Sequence, residues 1–166
     1  MATNLHAYSY YKVDALTFLF TTVDGDEYNC FFLSYSEYFK SNPSIASNFF
    51  SFNLKLISGV PKRKGVDPGI ADTVITIVGD FLNSKINAVI YVCDNSDGKE
   101  AVRARKFLSW FRYYDHPSHK IIKVSGDFDA GGITLYTALL VHKGNKLKNE
   151  LIQAYLELID SDEEEK

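Results

Sequence analysis

Residues 89–111 read VIYVCDNSDGKEAVRARKFLSWF, and their character changes twice. From Asn87 to Cys93 (NAVIYVC) the chain is continuously apolar, which suits a short strand covered on both faces. The turn formers Asp94-Asn95-Ser96-Asp97-Gly98 then halt it. From Lys99 to Tyr114 the period becomes helical. At about 100° per residue, Ala101, Ala104, Phe107, Leu108 and Phe111 gather on one side. Arg103, Lys106 and Trp110 fall opposite, with Arg105 and Arg112 beside each other on a flank. A covered strand running through a turn into a helix calls for a mixed fold, with layers on both sides of a sheet.

Upstream, Asp67-Pro68 has the chemistry of an N-cap and first helical position. Ile70, Val74, Ile77 and Phe81 follow on one helical face, opposite Asp72, Thr76, Asp80 and Asn83. The β-branched run TVITIV favours a strand, but the period and the cap favour a helix. Before it, SGVPKRKGVDPG is a breaker region, and FSFNLKLI (Phe50–Ile57) alternates like a half-buried strand. LTFLFTT and YNCFFLS, separated by Val23-Asp24-Gly25-Asp26, predict a hairpin across residues 16–33, and residues 34–48 a connection.

Downstream, Pro117 in DHPSH breaks the helix. Lys120–Val124 and Ile133–Val141 read as strands around a longer loop, GDFDAGG, at Gly126–Gly132. Asn145–Asp160 closes the chain as an amphipathic helix, with Leu147, Leu151, Tyr155 and Leu158 inward. The order β-β-β-α-β-α-β-β-α predicts one α+β domain over residues 1–159, a mostly antiparallel sheet carrying about three helices. Residues 160–166, beginning DSDEEE, read as an acidic, disordered tail.

A chain of 166 residues needs no staples, since at this size roughly 70% of the unfolded surface is buried. Aromatic residues make up 14% of the chain, which favours a sheet-containing core and leaves Tyr for contact surfaces. Cys30 and Cys93, each within an apolar stretch, read as buried thiols rather than a disulfide framework. No signal peptide or membrane-spanning run is evident, so the expectation is a soluble cytoplasmic protein. The net charge of −3 exerts no global pull on nucleic acid.

The carboxyl end of a strand that leads into a helix N-terminus is where open α/β sheets bind ligands. Unpaired N–H groups there suit anions, which makes Asn95, Ser96, Gly98 and Lys99 candidate contacts. Asp94 and Asp97 oppose a phosphate unless a metal lies between them. In the structural alternative, Ser96 or Asp97 caps the helix and Glu100 completes a capping-box spacing. The stretch contains neither a P-loop nor GxGxxG, and an EF-hand register would place Cys93 first and Ala104 twelfth.

The basic helix carries two readings. Arg103, Arg105, Lys106 and Arg112, with Trp110 for stacking, could hold a phosphate backbone or an acidic partner. They could equally form a solvated face. His116 and His119 in HPSH lack a second ligand pair, and no metal or other cofactor is expected. Asp127 and Asp129 form a loose DxD that reads as turn chemistry. No GxSxG or HExxH is present.

The chain resembles a bacterial domain family of unknown function. The resemblance rests on Phe20, Thr22, Gly25 and Tyr28, then IYVCDNSDGK, then Arg103, Phe107, Trp110 and Phe111, and finally Tyr136–Asn145. It spans roughly residues 17–158 and implies a single recurring domain without implying an activity. Three functional readings follow. The favoured one is a binding or regulatory domain acting through protein contacts or self-association, with the basic-aromatic helix and Tyr-rich strands as its surface. The alternatives are a nucleic-acid or nucleotide binder using Lys62–Lys64 and the Arg105/Arg112 face, and a metal-dependent enzyme using Asp94 and Asp97.

Overall fold

A computed structural model describes residues 6–59, 67–92, 106, 109–116, 118–130 and 132–164. The strands are β1 (Tyr10–Asp14), β2 (Thr17–Thr21), β3 (Glu27–Ser34), β4 (Phe49–Ser58), β5 (Ala88–Val92), β6 (Ile121–Ala130) and β7 (Ile133–His142). Among the described residues, α1 (Pro68–Leu82) and α2 (Lys148–Glu164) accompany them. A helical stretch at residues 109–111 leads into a 3-10 turn, Arg112–Asp115. The strands form one sheet in the order β1-β2-β3-β4-β5-β7-β6. β1/β2, β2/β3, β5/β7 and β6/β7 pair antiparallel, while β4/β5 is parallel. A parallel pair cannot be closed by a hairpin, and α1 supplies the crossover. The fold is α+β with a mostly antiparallel sheet, as the element order predicts.

Contacts divide the chain into two units. Unit 1 is Met1–Leu33 with Phe52–Phe81, and unit 2 is Ser34–Ser51 with Leu82–Lys166. In unit 1, strand alternation sends Phe18, Phe20, Phe32 and Phe52 to one buried face. Phe81 of α1 stacks on Phe32 at 4.0 Å between ring centroids. The cap forms as expected: Asp67 Oδ1 accepts the Gly69 N–H at 2.8 Å. Its other oxygen accepts the Tyr8 hydroxyl proton at 2.7 Å, which ties the segment before β1 to the helix. Val74, Ile77 and Val78 are fully buried, and Ile75 nearly so. Burying each such side chain contributes about 1.5–3 kcal/mol, against at most about 0.7 kcal/mol of helix propensity lost. Burial therefore overrides the β-branched composition.

In unit 2, β5 is covered on both faces. Ala88 and Ile90 join Leu139, Val141, Leu151, Ala154 and Tyr155 in one cluster, which also holds Phe39 and Phe49, stacked at 3.6 Å. On the opposite side Tyr91 stacks on Phe111 at 5.1 Å. β7 is buried from Thr137 to His142. The start of α2 is fixed by Asn145, 2% exposed, whose Oδ1 accepts the Leu147 N–H at 2.8 Å. Its amide donates to the Asn87 carbonyl at 3.3 Å, joining the helix entry to the residue preceding β5.

Three elements differ from the sequence expectation. β1 was not foreseen, because residues 11–14 are all exposed and the strand is held by backbone pairing without an apolar alternation. β6 continues through Gly126 and Asp127 to Ala130, and β7 begins at Ile133, with Gly132 at φ +85°. A sheet-edge strand tolerates glycine and acidic residues that mimic a loop in sequence. Finally, α2 runs to Glu164, into the stretch expected as a disordered tail. The connection at residues 34–48 holds two 3-10 turns, and Phe39 and Ile45 within it are buried.

Candidate functional site

Asp94, Asn95, Ser96, Asp97, Lys99, Arg103 and Arg105 lie outside the described residues, as do Lys62–Lys64 and Cys93. Of the predicted cluster, Lys106, Trp110 and Arg112 are described. Lys106 and Arg112 are exposed. Trp110 is not: it is 6% exposed, which corrects its placement on the outer face. The neighbouring Phe111 is fully buried as well, so burial at this end of the helix is not confined to one stripe. Lys106 Nζ sits 5.1 Å from the Trp110 ring, using the indole as a cation–π partner. The indole is thus unavailable as a stacking platform for bases.

His116 and His119 are neighbours, with ring centroids 5.9 Å apart, but His116 Nδ1 is engaged by Ser118 Oγ at 2.7 Å. Asp115 pairs with Lys123 at 2.8 Å. Among the described residues, no group of three His, Cys, Asp or Glu side chains could hold a metal. Asp127 lies in β6 rather than in a turn. Cys30 is a fully buried free thiol whose pKa is pushed up by burial, as expected of a packing cysteine.

Two features emerge that the sequence did not single out. The first is the second face of the unit 1 sheet. The registers Tyr11↔Leu19 and Thr17↔Phe31 place Tyr11, Leu19 and Phe31 on the face away from Phe18 and Phe32. Alternation adds Leu33 on β3 and Ile57 on β4. Tyr11 is 60% exposed, Leu33 52% and Ile57 43%. At the rim, Asp14 Oδ1 accepts the Leu16 N–H at 2.8 Å, and that bond is the main reason its pKa is lowered. On the same face Asn29 Oδ1 is buried without a hydrogen-bond partner.

The second feature is a cavity of about 300 Å³ in unit 2, beside the carboxyl end of β5. Ile90, Val92 and Leu135 form apolar wall, and Tyr35 and Tyr38 stack on each other at its margin, 4.2 Å apart. Thr137 and Tyr155 also line it, their hydroxyls 3.5 Å apart. Burial, offset in part by the Thr137 hydrogen bond, pushes the Tyr155 pKa up to about 12. One signal was present in the sequence: Tyr155 lies on the inner stripe of its helix, where a buried hydroxyl needs a partner. Thr137 gave no signal, because only the folded sheet brings it to α2.

No helix among the described residues is long and apolar enough to cross a membrane. A search of curated proteins finds no match. The sequence model of DUF6169, a family of unknown function, matches residues 66–157, from just before α1 to within α2. The matched range includes IYVCDNSDGK and the Arg103-to-Phe111 pattern, whereas the Phe20-to-Tyr28 pattern lies outside it. The chain belongs to the DUF6169 family, whose function is unknown.

Proposed function

We propose that the chain is a cytoplasmic binding domain acting through protein contacts, with the second face of the unit 1 sheet as its contact surface. The observation that carries this reading is the exposure of Tyr11, Leu33 and Ile57 on one sheet face while α1 covers the other. Large apolar side chains left exposed on one face of a folded domain are a feature of interaction sites. The free, buried thiol of Cys30 is in keeping with a reducing compartment.

The test compares the wild-type chain with Leu33→Lys/Ile57→Lys. Both positions are about half exposed, so folding should change by no more than about 0.5 kcal/mol each. Sedimentation velocity over rising concentration reads self-association, and quantitative co-purification from the native cytoplasm reads partners. Loss of a wild-type association in the double variant, at an unchanged melting temperature, supports the proposal. A wild-type chain that stays monomeric and enriches no protein over the variant overturns it.

A further inference from the structure

The cavity in unit 2 has the attributes of a small-molecule site, and this case is independent of the unit 1 surface. Its volume, about 300 Å³, is at the lower end of the roughly 300–1,000 Å³ typical of such sites. Most of its lining is apolar. Thr137 and Tyr155 both line it, and their hydroxyls lie beside each other. Tyr155 and Thr137 are 1% and 3% exposed, and their oxygens are 3.5 Å apart. A relaxed O–H···O bond spans about 2.7–2.8 Å, so this pair satisfies itself poorly. Each hydroxyl has capacity for a further bond.

Gly126, opposite Thr137 in the β6/β7 register, lets Tyr155 and Ile159 pack closely on β6. A Cβ there would stand 3.2 Å from Tyr155 Oη and 2.5 Å from Ile159 Cδ1. The charge pattern selects the ligand further. Among the described lining residues none is Lys, Arg or His, and the carboxylate of Asp127 acts electrostatically on Tyr155, which disfavours an anion beside that hydroxyl. Tyr155 remains a protonated donor at neutral pH. The rings of Tyr35, Tyr38 and Tyr155 contribute flat aromatic surface, and Tyr38, 51% exposed, marks the solvent side.

We infer that this cavity binds a neutral aromatic molecule carrying one hydroxyl or carbonyl group, which the Tyr155 and Thr137 hydroxyls engage. Binding of 4-methylphenol, toluene and decanoate to the full chain, measured by calorimetry and ligand-observed NMR, tests it. The expected order is 4-methylphenol over toluene, with decanoate weaker than 4-methylphenol. Thr137→Val keeps the volume and removes one hydroxyl, so 4-methylphenol should weaken about tenfold while toluene is unchanged. Leu135→Trp and, separately, Leu158→Trp should fill the cavity and abolish binding of both aromatics. Absence of saturable 4-methylphenol binding to the wild type overturns the proposal, as does full binding in both Trp variants. Decanoate binding more tightly than 4-methylphenol overturns the ligand class. Equal losses of 4-methylphenol and toluene in Thr137→Val overturn the role of the hydroxyl pair.

Discussion

Asn145 holds the entry of α2 with both ends of one amide, and its removal should be felt throughout unit 2. The side chain is 2% exposed. Its Oδ1 satisfies the Leu147 N–H, and its Nδ2 the Asn87 carbonyl. Replacing such a turn-and-cap residue with Ala costs about 1 kcal/mol, within a range of 0.5–2. The 3.3 Å bond to Asn87 is long, and depriving that carbonyl of its donor adds roughly 0.5–1 kcal/mol. Asn145→Ala should therefore cost about 2 kcal/mol, or about 4–8 °C in melting temperature for a chain of this length. Urea unfolding followed by far-UV circular dichroism measures it, provided the m-value is unchanged. The control is Gln153→Ala on the exposed face of the same helix. Gln153 bonds Glu157 at 3.2 Å, and its loss should cost no more than about 0.5 kcal/mol. If Asn145→Ala and Gln153→Ala cost the same, the amide is not what anchors α2.

Three further outcomes are expected. Gly25 and Gly59 both have positive φ, +87° and +95°, but a Cβ at Gly25 meets nothing, whereas one at Gly59 collides with the Asp26 side chain. Gly25→Ala should cost about 1–2 kcal/mol for the backbone alone and Gly59→Ala at least ~1 kcal/mol more, so equal costs in chemical denaturation would contradict this packing. His142 is buried, its Nδ1 accepts the Gly144 N–H, and its Nε2 has no partner. Burial, aided by Lys85 and Lys120, holds its pKa below the ordinary 6.5. The unfolded chain therefore binds this proton first, and the stability His142 contributes is full above 6.5 and drains away as pH falls toward the folded value. Wild type should lose more melting temperature than His142→Asn between about pH 7.5 and 5.5, and parallel profiles would exclude His142 as a source. In a Cys93→Ser background, the buried Cys30 thiol should react with a disulfide reagent only once denaturant is added, and rapid labelling of the native chain would refute its burial.

The sequence by itself determined those elements whose local signal and tertiary environment agree. Asp67-Pro68 announced α1 and Asp67 does cap it, while the continuous apolar run at Asn87–Cys93 announced a strand with both faces covered, which β5 is. The hairpin around Gly25 and the inward stripe of α2 were legible for the same reason: their spacing repeats with the period of the element itself. The tertiary structure decided what has no local period. β1 is held by pairing along a sheet edge, the strand character of Gly126 and Asp127 comes from β7 beside them, and Trp110 is buried against the helical projection. The candidate sites belong to this second group. Tyr11, Leu33 and Ile57 share a face only through strand order and register, and Thr137 meets Tyr155 only through the packing of α2 on the sheet. A surface or a cavity is a property of residues distant in the chain. One-dimensional periodicity encodes which side of an element is apolar, but not what will be placed opposite it.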